Sequence, residues 1–112
     1  MYLAFALDHI PRRMRELGFE DQYLTRYRHL LVEDQQVLEL NADNQYWFFI
    51  EPNGLLIESE RGVFNINDPT INIQQHEHSG KIIISNKTLG TNVWVLFIQV
   101  IPQHKNKSNE LH

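Results

Sequence analysis

From about Tyr23 onward, turn-forming residues recur every 8–12 positions, and the pieces between them are short and rich in Val, Ile, Tyr, Phe and Trp. The turn chemistry sits at Glu33-Asp34, Asn41-Ala42-Asp43-Asn44, Pro52-Asn53-Gly54, Arg61-Gly62, Asn67-Asp68-Pro69, Ser79-Gly80 and Leu89-Gly90-Thr91-Asn92. A chain reversed this often has no room for long helices, and β-branched and aromatic residues fit a pleated, half-buried surface. The pattern predicts eight strands, at about 24–32, 36–41, 45–51, 54–60, 62–66, 71–77, 80–87 and 92–101. Many short strands at regular spacing are the mark of a mainly β domain, an antiparallel β-sandwich or jelly-roll-like barrel.

Two strand pairs stand out. Tyr46 to Glu51 runs into Leu55 to Glu60 across Asn53-Gly54, which tolerates the positive φ of a tight hairpin. Lys81 to Ser85 and Val93 to Ile101 are apolar on consecutive positions, so both their faces should be covered. Segment 20–40 fits two periods. Tyr23, Leu24, Tyr27, Leu30 and Leu31 suit a helix, whereas Thr25-Arg26-Tyr27-Arg28 alternates as a strand does. The polar turn between Val32 and Val37 favours strands.

One segment near the start carries helix signals. Asp8 or His9 precedes the first turn, Pro11 is tolerated there, and Gly18 suits a left-handed stop. Ile10, Met14 and Leu17 form one apolar stripe, with Arg12, Arg13 and Arg15 around it. A helix this short does not hold its shape alone in water, so it must dock on the sheet or on another subunit.

Size and composition bound the remaining choices. The chain has 112 residues, 42% hydrophobic and 21% charged, which suits one folded domain over 1–102 with a polar tail over 103–112. There are no cysteines, so disulfides, thiolate metal sites and thiol catalysis are excluded. No apolar run reaches the roughly 18–20 residues that span a bilayer, and the N-terminus has no basic segment of the secretory kind. The expected location is the cytoplasm or an assembled particle, with no membrane partner.

Charge is unevenly spread. Residues 1–32 carry net +1, residues 33–77 net −8 and residues 78–112 net +3, for a total of −4. An acidic middle without a basic stripe argues against nucleic acid as the partner. Opposed blocks allow copies of the chain to meet one another, or to meet another protein.

Four groups invite chemistry. His76 and His78 are two apart, which in a strand places both imidazoles on one face, as a divalent metal site in a β-barrel requires. A third ligand would come from another strand, such as His29 or Glu39. His-x-His also opens the metal motif of the cupins, and the resemblance stops there: the chain continues Ser79-Gly80-Lys81-Ile82, without the glutamate that the cupins place downstream. Arg26 and Arg28 share a face and are suited to carboxylates or phosphates. Tyr46-Trp47-Phe48-Phe49 puts aromatic side chains on both strand faces, so one face meets the core and the other a helix, a loop or a second subunit. Glu58 and Glu60 fit an exposed edge better than a catalytic pair. No nucleophile elbow or phosphate-binding loop is present.

The pattern therefore points away from an enzyme. The expected function is a non-enzymatic structural or assembly module that self-associates as a small subunit or accessory protein of a larger complex, such as a virion-like particle. Its expected contacts are Arg12, Arg13, Arg15, Arg26, Arg28, Tyr46 and Phe48, and it needs no cofactor. The alternative is a small-ligand or metal-binding β-barrel using His76, His78 and His29.

Overall fold

The structure is a computed structural model, and it describes residues 3–51, 55–60, 62–65 and 76–103. It is mainly β, with one helix. The elements are α1 (Leu3–Glu16), β1 (Tyr23–Val32), β2 (Val37–Glu51), β3 (Leu55–Ser59), β4 (Gly62–Asn65), β5 (Glu77–Asn86) and β6 (Val93–Pro102). The strands form one six-stranded sheet in the order β1-β6-β2-β5-β3-β4, and every neighbouring pair is antiparallel. Segment 20–40 is thus strand on both sides of its turn.

The expected strands at 36–41 and 45–51 are one strand. Asn41-Ala42-Asp43-Asn44 does not reverse the chain. Ala42 pairs with Gly80 and Trp47 with His78, so four residues of β2 stand against Ser79 alone. Asn44 takes a left-handed φ of 61° inside this bulge, and the Asn41 side chain accepts from the Asp43 N–H at 2.7 Å. The turn chemistry was real, but it serves a bulge that bends a continuing strand. The first half of β2 pairs with β5, and beyond the bulge its second half pairs with β6 along one side and again with β5, at Trp47 and Phe48, along the other. The expected strand at 71–77 and the turn at Pro52-Asn53-Gly54 fall largely or wholly outside the described residues, as does the tail beyond Gln103.

The sheet folds over on one face. Trp47, Phe49, Phe97, Val95, Ile82, Ile84, Leu55 and Ile57 form a single buried cluster there with Val32 and Ala42. Trp47 stacks on Phe97 at 4.6 Å between ring centres, and Phe49 lies 5.2 Å from the same ring. Asn86, buried at the end of β5, fastens the fold. Its amide donates to the carbonyls of Val32, Glu33 and Thr91 at 3.1, 3.1 and 2.7 Å. β1 and β5 are not neighbours in the sheet, so these bonds join its two halves.

The other face of β2 and β6 is covered by α1. Ala6, Ile10 and Met14, at i, i+4 and i+8, sit on Phe48, Ile50, Ile98 and Val100. The helix begins at Leu3, five residues before the expected capping signal, because Leu3-Ala4-Phe5-Ala6-Leu7 consists mostly of good helix formers and extends the buried stripe back to Ala6. Pro11 is consequently inside the helix and removes one backbone bond to Leu7, which is exposed.

Candidate interaction surface

The helix is fixed at its basic end. Arg13 reaches down to β5, where its Nε and one Nη donate to the two carboxylate oxygens of Glu77 at 2.8 and 3.1 Å. Glu77 is only 2% exposed. A carboxylate buried so deeply is tolerated when a bidentate guanidinium neutralises it. Donating to Glu77 holds the Arg13 guanidinium above its ordinary pKa, against the opposing effect of burial. Arg13 also meets Glu16 at 3.3 Å, and Arg12 pairs with Asp8 one turn back.

The other end of the helix is left open. Leu3, Phe5 and Leu7 are all exposed, Phe5 by 56%. No acidic residue occupies this first turn. Beside it lies a cleft of about 220 Å³, lined by Leu7, Ile10 and Pro11 from α1, by Tyr23, Thr25 and Tyr27 from β1, and by Ile98 from β6. Leu7 belongs to both the exposed turn and the cleft, and Leu3 lies one turn back on the same side of the helix, whereas Phe5, two residues away, is on the other flank beside His9. Beyond the cleft is β1, an edge strand whose residues 24–29 are all exposed.

The residues expected at an interface are divided by the fold. Phe48 is fully buried beneath α1, with the His9 ring edge-on at 6.0 Å, so within the chain the helix already takes that face. Tyr46 is half-buried beside Phe19. Arg12 and Arg13 are paired within the chain, whereas Arg15 lies exposed on the helix. Arg26 and Arg28 are exposed on β1, and Arg28 donates to Gln99 at 3.0 Å. Gln99 donates in turn to Gln45 at 2.7 Å, and Gln45 also accepts from the Trp47 indole at 2.9 Å.

The histidines do not converge. His78 is fully buried on the folded-over face, where its Nδ1 lies 2.6 Å from the Ser59 hydroxyl and its ring meets Phe49 edge-on. His29 is opposite Leu96 on the helix side of the sheet, and exposed. His76 precedes β5 and is 7% exposed; burial lowers its pKa to about 4, against a hydrogen bond with the Phe49 backbone. Among the described residues no three His, Asp or Glu side chains are grouped to hold a metal ion.

Leu3, Phe5 and Leu7 are not singled out by sequence pattern, because the capping signals at Asp8 place them before the helix. The signal that finds them is the run itself: seven residues, Met1 to Leu7, without a charge. No described helix is long and apolar enough to cross a membrane. Comparison of the chain with protein-family models, with curated proteins and with solved structures finds no match.

Proposed function

We propose that the chain is a non-enzymatic assembly module that associates with copies of itself through the open end of α1 and the cleft beside it. The observation that carries this reading is the exposure of Leu3 and Leu7, one turn apart on the same side of α1, next to a largely apolar and aromatic hollow to which Leu7 itself contributes. Apolar surface gathered in one patch is driven toward burial. A ridge beside a hollow is self-complementary under a two-fold axis, since the ridge of each copy enters the hollow of the other. On this reading the folded-over sheet is a sandwich-like or jelly-roll-like scaffold that presents the patch, as a small subunit of a larger complex would.

Light scattering tests it. The expected mass is a multiple of 13.3 kDa that is indifferent to salt, because the contact is apolar. Replacing Leu3, Phe5 and Leu7 together with serine should return the mass to 13.3 kDa with the β spectrum intact. A wild-type chain of 13.3 kDa at every concentration, or an oligomer that dissolves as salt rises, overturns the proposal.

A further inference from the structure

The edge of β1 is built as a template for another strand. Its ladder with β6 runs from Tyr23↔Pro102 to Val32↔Val93, ten consecutive pairs without a bulge. Bulges, prolines, short length and charged side chains are the usual means of blunting an edge, and β1 has only the last, in Arg26 and Arg28. Its outer N–H and C=O groups from 24 to 31 form no backbone bond outside the β1–β6 ladder among the described residues.

The side chains on that edge decide what it accepts. Arg26 and Arg28 lie opposite Gln99 and Phe97, on the folded-over face, and both are exposed. Neither has a carboxylate partner among the described residues, in a chain with a net charge of −4. Tyr27, between them, points to the opposite face and is 56% exposed. Pairing β1 with β1 of a second copy about a two-fold axis at this stretch would set arginines of the two chains opposite or diagonal to one another, which is repulsive. The edge therefore disfavours its own kind.

We propose that the outer edge of β1 binds an acidic extended segment of a partner protein as an added strand, with carboxylates at i and i+2 meeting Arg26 and Arg28 and an apolar residue between them meeting Tyr27. Main-chain bonds hold the strand and the alternate side chains select it, the mode by which exposed sheet edges take peptides. Charged hydrogen bonds from the two guanidinium groups to the carboxylates add affinity and fix the register. The contact shares Tyr27 with the cleft of the self-association proposed above, but its two arginines lie on the opposite face of the sheet and take no part in that cleft.

The test uses the full chain and a short fluorescent peptide of alternating valine and glutamate, followed by anisotropy at low ionic strength. Saturable binding is expected. Arg26→Gln or Arg28→Gln should each weaken it about tenfold. The double variant R26E/R28E should lose it and bind the valine–lysine counterpart instead, and this gain of function shows that the variant is folded. Of two peptides N-methylated on alternate amides, the one methylated on the side facing β1 should fail. No saturable binding, or unchanged affinity in R26E/R28E, overturns the proposal. So does equal binding of both N-methylated peptides, which would reduce the contact to charge alone. The mass of the peptide-free protein should be the same in R26E/R28E as in wild type, so a failure here leaves the self-association reading standing.

Discussion

The two faces of the β2–β6 pair are covered by different means, and the difference decides which apolar surface is left exposed. On one face the sheet covers itself: β2 bends at Asp43 to Tyr46, both its halves contribute to one cluster, and Trp47, Phe49 and Phe97 are sealed among strands. On the other, a separate helix lies across Phe48, Ile50, Ile98 and Val100, held at one end by Arg13 and Glu77. A sheet folded on itself closes its core along the whole strand length. A 14-residue helix covers only a stripe, and what it leaves, among the described residues, is an apolar fringe along its first turns and an unpaired edge at β1.

The largest effect should come from breaking the self-covered face. Phe49→Ala or Phe97→Ala removes a ring from the stacked group and should cost about 3–5 kcal/mol in a urea titration. Because the cluster draws on five strands, the loss should be a single transition for sheet and helix together. A helix signal that melts separately would show that the two faces are less coupled than their shared strands imply.

Arg13→Ala should come next, at about 3 kcal/mol, since it leaves Glu77 buried without its guanidinium. Part of this should return in Arg13→Ala/Glu77→Gln, where no buried charge is left without its guanidinium. Hydrogen exchange should show α1 opening before the strands do. Equal protection of α1 and β5 in Arg13→Ala would argue that the ion pair does not fasten the helix.

Acid should act on the same structure. His76 titrates near 4 in the folded chain and near the ordinary 6.5 when unfolded. Above 6.5 neither state carries the proton, so stability does not depend on this group. Between 6.5 and 4 the unfolded chain takes up a proton that the folded chain does not, and stability falls as pH falls. The imidazole resonance of His76 should move with a midpoint near 4. A midpoint near 6.5, or a stability slope unchanged in His76→Gln, would contradict its burial.

Asn86→Ala should cost about 1–3 kcal/mol, because the carbonyls of Val32, Glu33 and Thr91 lose their donor where the sheet folds over. The smallest effect on stability belongs to the fringe. Leu7→Ser should change it by about 0.5 kcal/mol or less, as exposed substitutions do, while weakening association measurably by sedimentation. A large loss of stability would mean that Leu7 belongs to the core.

These residues also show what a sequence discloses. The β class, the strands on either side of residues 33–36 and the final hairpin are legible because turn chemistry and strand composition are local. The bend in β2 is not, since Asp43-Asn44 reports a backbone that visits positive φ and does not report whether the chain then reverses. The helix stripe is legible at Ile10, Met14 and Leu17, but its true start is hidden by capping residues at Asp8 and His9 that cap nothing. The division of the arginines is set by distance in the chain. Arg13 meets Glu77 across 64 residues, and no local pattern distinguishes it from Arg12 or Arg15. The aromatic run at Tyr46 to Phe49 reads as core by default with an interface as the rival, and the position of α1 over Phe48 decides that Phe48 is core.

Hydrogen–deuterium exchange across a dilution series tests the central claim most directly, because it reads both the association and its place. Amides of 3–11 and 23–27, which frame the cleft, should gain protection as the protein is concentrated. Those of 37–42 and 81–86, on the self-covered half, should not change. Protection independent of concentration at 3–11 and 23–27, or gained first on the β2–β5 half, would contradict the account.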